Sequence, residues 1–197
     1  AFTTKIYQDQ IALIFRGTDA SFEGWAESLA LSFDEELPAQ TTAKKYLEGI
    51  AEKYEEDMIL AGHSKGGNLV VFVASTVDES IQERIKTVYN LDGPGFLPEF
   101  YKRPDYHSIE EKILVYMPKR SFVGMLLEGV GKKHIVECKG IFIDQHSAFN
   151  WLTEDGSFKE IKNLDSISII TNKAIDEWLK IVDREDRKEI IKLIYNV

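Results

Sequence analysis

The sequence predicts an α/β fold in which a mostly parallel sheet carries helices on both faces. Short apolar runs rich in β-branched and aromatic residues alternate with segments whose apolar residues recur every three or four positions, the patterns of strands and amphipathic helices. This alternation favours a parallel sheet, because the helices serve as crossover connections. The 197 residues suit one domain. We predict a single domain over residues 1–197, with a core at about 2–152 and a helical tail at about 172–197.

Six strands are predicted from these apolar runs. Residues 3–7 and 11–15 flank the polar turn Gln8-Asp9-Gln10, so they form neighbouring strands joined by a tight turn. The second of them is apolar throughout, which is typical of a central strand. The predicted strands are residues 3–7, 11–15, 58–61, 87–91, 112–117 and 135–138.

Helices are predicted where apolar residues share one helical face. Phe22, Trp25, Leu29 and Phe33 have this spacing. The tail contains two such pieces, interrupted near Asp183. The predicted helices are residues 21–33, 42–54, 65–76, a short one at 122–128, 174–182 and 184–195.

The composition argues against several classes of function. The formal net charge is −9, and an acidic chain repels phosphate backbones, so we expect no nucleic-acid partner. The single cysteine, Cys138, offers neither an internal disulfide nor a thiolate pair, and we expect no metal and no cofactor. No run approaches the roughly 18 apolar residues of a membrane span and no signal peptide is visible, which favours a cytoplasmic location. The start at Ala1 favours a native N-terminus further upstream.

Gly62-His63-Ser64-Lys65-Gly66 carries the strongest chemical signal. It lies between the strand that ends at Ala61 and the helix predicted at 65–76. A strand-to-helix turn this sharp forces its central residue into strained dihedral angles, and only small neighbours let the backbone pass. We therefore predict that Ser64 is a nucleophile. The alternative is an ordinary serine in a glycine-rich turn.

A serine hydroxyl needs a base to remove its proton, and the sequence offers four histidines. His146 follows the last predicted strand, and reactive groups of open α/β sheets gather at the carboxyl ends of strands, so His146 is the predicted base. His107 and His134 lie in polar stretches and are expected to be solvated. His63 lies inside the turn, where its side chain is expected to point away from the open face of the nucleophile.

Asp92 is the favoured carboxylate for orienting the base. It directly follows the strand at 87–91 and precedes Gly93-Pro94-Gly95, so it also lies at the carboxyl end of a strand. Asp144 is a weaker choice, because it is only two residues from His146 and the acid usually approaches the imidazole from another loop. Two alternatives stay open: Asp92 only shapes the turn, or no carboxylate takes part.

Phe15-Arg16-Gly17-Thr18 ends the early central strand. A hydrolase of this architecture needs two backbone N–H groups aimed at the developing oxyanion. One comes from the residue after the nucleophile and the other from the loop after an early strand. Lys65 and Thr18 occupy those positions, so we predict that they form the oxyanion hole.

Over about residues 2–152, the chain resembles the class 3 lipase branch of the α/β-hydrolases. The resemblance rests on Phe15-Arg16-Gly17-Thr18, on the following helix with Trp25, and on the elbow continued by Gly67-Asn68-Leu69. A bacterial family of that branch, with Gly-His-Ser-Lys-Gly-Gly-Asn at the elbow, is more similar still. The complete hydrolase unit of that family begins with strands upstream of Ala1, so this chain resembles a fragment or a processed form.

The resemblance implies roles for several residues. Ser64 would be the nucleophile, His146 the base, and Thr18 an oxyanion donor through its N–H and hydroxyl. The segment at about 21–33 would act as a lid over an acyl pocket. Its residues Phe22 and Trp25, together with Leu126, are the predicted substrate-binding residues.

The chain departs from class 3 lipases at two places. Their acid follows the strand that matches residues 112–117, where this chain has Pro118-Lys119-Arg120-Ser121 without a carboxylate. Residues 90–96 are similar instead to the Leu-Asp-Pro turn of pancreatic-type lipases, whose acid follows the preceding strand, which supports Asp92. Lys65 replaces a residue that is usually apolar; it either favours anionic substrates or extends into solvent.

Two classes of function follow from these features. The first is a serine hydrolase that cleaves a small-molecule or lipid ester through an acyl-enzyme on Ser64, or an acyltransferase that uses the same residues with another acceptor. The second is an inactive hydrolase-like fold that binds a partner or a lipid surface. Phe22, Trp25 and Met125-Leu126-Leu127 would then form an exposed apolar patch, unless they pack in the core. The oligomeric state is left open.

Overall fold

The computed structural model describes residues 1–6, 10–17, 31, 36–127, 129 and 131–195. The segment predicted as a lid helix at 21–33 lies outside the described residues except for Leu31, which is buried.

The described residues form nine strands, and seven of them build one sheet in the order β1-β2-β3-β4-β5-β6-β9. Strands β2 to β6 are parallel to one another, whereas β1 and β9 pair antiparallel at the two edges. The predicted α/β class with a mostly parallel sheet is confirmed. The strands are β1 (Phe2–Lys5), β2 (Gln10–Phe15), β3 (Asp57–His63), β4 (Ile85–Leu91), β5 (Ile113–Pro118), β6 (Lys132–Val136), β7 (Thr153–Glu154), β8 (Ser157–Phe158) and β9 (Glu160–Ile161).

Six α-helices occur in the described residues, and none of them is long and apolar enough to cross a bilayer. The first α-helix begins earlier than predicted because Pro38 suits the first turn and the Gln40 side chain accepts the Leu37 N–H at 2.8 Å. The helices are α1 (Pro38–Lys53), α2 (Lys65–Thr76), α3 (Glu79–Arg84), α4 (Pro104–His107), α5 (Ser166–Ile181) and α6 (Arg184–Tyr195). Short 3₁₀ turns occupy Phe100–Lys102, Glu110–Lys112, Phe142–His146 and Ala148–Asn150.

The main core lies between helix α2 and the centre of the sheet. Residues 66–75 of α2 are all buried, and Val70 and Val73 pack in one apolar cluster with Leu60 of β3 and Val88 of β4. Burying such a side chain contributes about 1.5–3 kcal/mol. This packing fixes the N-terminus of α2 at the carboxyl end of β3, where the candidate site lies.

The prediction of a helix at residues 122–128 is wrong. Residues 122–127 form bends around a turn at 124–125, and Glu128 lies outside the described residues. Tertiary bonds replace helical ones here, since the Gly95 N–H donates to the Leu126 carbonyl at 2.9 Å. Leu127 also has φ +67°, which a right-handed helix does not allow.

Two further boundaries differ from the prediction. Strand β6 ends at Val136, and Cys138 forms an isolated bridge with Trp151 instead of continuing the strand. Helix α5 begins at Ser166 because the Asp165 carboxylate caps it by accepting the Ile167 N–H at 2.9 Å. The sequence prediction recognised only the later turns of this helix.

Candidate active site

Ser64 occupies the sharp turn between β3 and α2. Its backbone has φ +57° and ψ −130°, a conformation that is costly for a residue with a Cβ. The glycines around it permit this turn. A Cβ on Gly62 would lie 2.0 Å from the Gly66 carbonyl oxygen, and a Cβ on Gly66 would lie 2.1 Å from the carbonyl oxygen of Phe15. The structure therefore presents Ser64 at the tip of a strained elbow.

A hydrogen bond joins the side chains of Asp92 and His146. The Nδ1 atom of His146 lies 2.6 Å from Oδ2 of Asp92, although the two residues are 54 positions apart in the chain. Asp92 is fully buried at the end of β4, and it too has a positive φ, +52°. A carboxylate can only accept hydrogen bonds, so Nδ1 of His146 carries the proton and Nε2 of the neutral imidazole is unprotonated.

The second oxygen of Asp92 is also occupied. Oδ1 accepts the hydroxyl of Ser121 at 2.5 Å and the N–H of Gly124 at 3.2 Å. A buried carboxylate needs such donors to remain charged. The residues directly after β5, Lys119-Arg120-Ser121, have no carboxylate in their sequence, but Ser121 contributes a hydroxyl that holds Asp92 in place. Sequence reasoning missed Ser121, since one serine in a polar loop gives no signal.

Asp144, the alternative acid, is exposed and makes no hydrogen bond to His146 within the described residues. His146 ends a 3₁₀ turn, and its side chain is 18% exposed. A hydrogen bond stabilises the loop around His146, because the Trp151 indole N–H donates to the Gln145 carbonyl at 2.8 Å. The geometry thus pairs His146 with Asp92 and leaves Asp144 in solvent.

The side chain of His63 contacts His146. Its Nε2 lies 2.6 Å from the carbonyl oxygen of His146, and the centroids of the two rings are 4.6 Å apart. Burial lowers the pKa of His63 below its usual value, which favours a neutral ring. The sequence did not indicate this contact, because the position of the loop that carries His146 cannot be read from the sequence.

Ser64 and His146 lie at the same end of the sheet, as contacts of their neighbouring residues show. The Ser64 N–H donates to the carbonyl of Leu91, at 2.9 Å, and Leu91 precedes Asp92 in the chain. His63, which precedes Ser64, contacts His146. Within the described part of the chain the Ser64 hydroxyl makes no hydrogen bond.

Two elements adjoin Ser64. Lys65 is the first residue of helix α2, and the helix dipole favours negative charge at this end. The β2 end also adjoins the elbow, since a Cβ on Gly17 would lie 3.1 Å from the Ser64 Cβ. Thr18, the second predicted oxyanion donor, lies outside the described residues.

Of the predicted substrate-binding residues, Phe22 and Trp25 lie outside the described residues. Leu126 is half-buried and packs against an apolar cluster formed by Leu31, Leu37 and Leu127. Met125 and Leu127 are buried, so of the two alternatives for Met125-Leu126-Leu127 the structure supports packing in the core and not an exposed patch. Their apolar side chains favour this core position.

A cavity of about 960 Å³ lies next to these residues. Gly124, which bonds Asp92, is in its wall, together with the apolar side chains of Phe96, Leu97, Met125 and Leu127. Charged side chains of both signs complete part of the wall. They belong to Lys133, Lys180, Arg184 and Arg187 and to Glu99 and Asp176.

The two remaining histidines and the cysteine make no hydrogen bond to Ser64, Asp92 or His146 within the described residues. His107 is exposed, as expected, and pairs with Glu110. The expectation for His134 is wrong: its side chain is only 13% exposed, and its ring stacks on Tyr116 at 4.7 Å. Burial raises the pKa of the Cys138 thiol, which keeps it protonated and unreactive. The described residues contain no group of three or more His, Cys, Asp or Glu that could hold a metal ion.

The family model described as Mbeg1-like matches residues 1–196. A comparison with the curated proteins finds no match.

Proposed function

The chain belongs to the Mbeg1-like family, a description that states no reaction, and we propose from the site that it is a serine hydrolase acting on carboxylic esters. The observation that carries the proposal is the buried Asp92 carboxylate bonded to Nδ1 of His146 at 2.6 Å, beside the strained Ser64 at the start of helix α2. Acyl transfer by a serine uses a nucleophile, a base and an acid that orients the base, and the bond between Asp92 and His146 near Ser64 supports these roles.

Each residue has a defined role in the proposed reaction. The Ser64 hydroxyl oxygen attacks the ester carbonyl carbon while Nε2 of His146 takes its proton. The carbonyl oxygen becomes an oxyanion that accepts the Lys65 N–H and, as the sequence predicts, the Thr18 N–H. When the C–O bond to the leaving group breaks, His146 returns the proton to the departing alcohol and an acyl-enzyme remains. Water then attacks the acyl carbon while Nε2 of His146 takes its proton. When the C–O bond to Ser64 breaks, His146 returns that proton to the Ser64 oxygen, and the acid product leaves.

Asp92 supports the imidazole in both halves of this reaction. Its negative charge stabilises the imidazolium that forms on His146, and its bond to Nδ1 selects the tautomer with Nε2 unprotonated. Full burial strengthens this interaction because water cannot screen it. The fold type that we propose is that of the α/β-hydrolases, resembling the class 3 lipase branch. Support comes from the elbow between β3 and α2 and from the acid and base that follow β4 and β6.

The cavity whose wall contains Gly124, the residue that donates to Asp92, supports an acyl or lipid-like substrate because part of its wall is apolar. Phe96, Met125 and Leu127 offer hydrocarbon contact, whereas Lys133 adds positive charge. We therefore propose an ester with an apolar acyl group. An acyltransferase would use the same residues with an alcohol in place of water, and product analysis with added alcohol distinguishes the two.

The proposal is tested with p-nitrophenyl esters of graded chain length. We expect hydrolysis by the wild-type protein and none above background by Ser64→Ala, whose melting temperature should be unchanged because the hydroxyl makes no hydrogen bond within the described residues. Ser75→Ala is the control, since Ser75 is a buried serine of the same helix that bonds a carbonyl inside it. Turnover by Ser64→Ala near the wild-type rate would contradict the proposal.

A further inference from the structure

The side chain of His63 bonds the main chain of the proposed base. Its Nε2 lies 2.6 Å from the carbonyl oxygen of His146. A carbonyl oxygen only accepts hydrogen bonds, so Nε2 of His63 carries the proton and donates. This fixes the tautomer of His63 and leaves its Nδ1 unprotonated in the neutral ring.

His63 is itself held rigidly. It is the last residue of β3 and pairs with Leu91 of β4 in the parallel register. Ser64 follows it directly and is tied to the carbonyl of Leu91 by its own N–H. A donor on His63 is therefore fixed relative to the nucleophile by two strands of the central sheet.

The loop that carries His146 has few other ties to these strands. Hydrogen bonds of residues 141–150 run mainly within the loop and to the adjoining residues 139–140 and 151. Across the part of the chain that the structure describes, two bonds join this loop to the ends of β3 and β4. One is the imidazole of His146 to Asp92, and the other is the carbonyl of His146 to His63. The first bond alone would let the imidazole pivot about Asp92.

The charge state of His63 suits this contact. Its ring lies against that of His146, tilted by 37°, and the titratable groups that act on it are His146 and Asp92. Burial lowers the pKa of His63. A neutral His63 avoids placing a second positive charge beside the imidazolium that His146 becomes during the proposed reaction.

We propose that His63 is a positioning residue that uses its Nε2–H to hold the main chain of His146, so that the base is placed relative to the nucleophile next to His63. This inference rests on the proposed function. Displacement of a reacting group by about 1 Å can reduce a rate by about 10²-fold. Loss of the donor should therefore lower kcat more than it changes KM.

The matched variants are His63→Gln and His63→Met. Both side chains have the same length, but only glutamine offers an N–H donor and neither titrates. With p-nitrophenyl butyrate we expect kcat of His63→Gln to stay within about threefold of wild type, and kcat of His63→Met to fall by about 10²-fold with little change in KM. Melting temperatures verify folding. If His63→Met does not fold, His63→Asn replaces it, because its amide is too short to reach the carbonyl.

Wild-type kcat in His63→Met or His63→Asn would overturn the inference. So would equal losses in His63→Gln and His63→Met, because the ring or its titration, and not the donor, would then be required.

A second readout does not depend on activity. The low-field proton resonance of the His146 Nδ1–H, identified by its loss in His146→Gln, reports the bond to Asp92. We expect it in wild type and His63→Gln, and broadened or absent in His63→Met. An unchanged resonance in His63→Met would overturn the positioning role. If Ser64→Ala proved fully active, the proposed function would fail while this comparison still measured the contact.

Discussion

Replacing Asp92 with asparagine tests the geometry of the site most severely. The change removes one charge and keeps the shape of a fully buried side chain. The hydrogen bonds of Asp92 fix which way the amide of the introduced asparagine must point. Oδ1 of Asp92 accepts the Ser121 hydroxyl and the Gly124 N–H, and the Gly124 N–H can only donate. The amide oxygen of asparagine must therefore take that position, and the NH₂ group must face Nδ1 of His146.

The consequence is a reversed tautomer. With a donor facing it, Nδ1 of His146 must accept, so the proton moves to Nε2, the atom that has to take the Ser64 proton. The charge that stabilises the imidazolium is lost as well. Such a change costs about 10⁴-fold in kcat, or about 5 kcal/mol of barrier at about 1.36 kcal/mol per tenfold. Because the bonds to Ser121 and Gly124 persist, the melting temperature should fall by less than about 4 °C.

The assay is hydrolysis of p-nitrophenyl butyrate at about pH 8, where unperturbed imidazole is neutral, with Ser64→Ala as background. Asp144→Asn is the matched control, since it makes the same chemical change in the loop of His146 at an exposed residue. We expect it to be within about twofold of wild type, as for other exposed substitutions. A loss in kcat of less than about tenfold for a folded Asp92→Asn, or an equal loss in Asp144→Asn, would refute the assignment of the acid.

Three further predictions concern the elbow, the support of Asp92 and pH. Gly66→Ala should prevent stable folding, because its Cβ would lie 2.1 Å from a backbone oxygen of β2. Gly49→Ala, in helix α1 with nothing within 4 Å, should instead stabilise by about 0.5–1 kcal/mol; urea unfolding compares the two, and equal effects would contradict the packing. Ser121→Ala should lower kcat by about tenfold with KM unchanged, as for support groups of a site, and Ser121→Thr should restore part of the loss; a wild-type rate in the alanine variant would show that Asp92 needs no hydroxyl. The pH prediction follows from His63, whose pKa is lowered in the folded state from 6.5. Because the unfolded chain then binds the proton more readily, the contribution of His63 to the free energy of unfolding should be complete above about pH 6.5 and be lost as the pH falls below it. His63→Gln should lose less of its melting temperature than wild type between about pH 7 and pH 5, and identical curves would contradict this.

Much of the fold could be predicted because its signals are local. The apolar runs of β2, β3 and β4 and the glycines around Ser64 identify a parallel sheet with an elbow after one strand. Their carboxyl ends share an edge, which is why Asp92 and His146 could be named. Helix α5 was recognised only in part, because its start at Ser166 depends on the Asp165 cap and not on apolar spacing.

The rest of the site depends on contacts between distant segments. Ser121 lies 29 residues from Asp92, and no spacing in the sequence indicates that its hydroxyl fills the second carboxylate oxygen. His63 bonds a carbonyl 83 residues away, a contact that depends on the path of the loop after β6. Residues 122–127 have helical spacing, but their tertiary bonds override the local propensity.

The central claim, that Ser64 is a nucleophile activated by His146, is tested most directly by covalent labelling. The folded protein is incubated with a fluorophosphonate probe, and the adduct is located by peptide mass spectrometry. We predict one adduct per chain, on Ser64, with labelling absent in Ser64→Ala and strongly slowed in His146→Ala. No adduct in folded wild-type protein, or an adduct on another residue that persists in Ser64→Ala, would contradict the account.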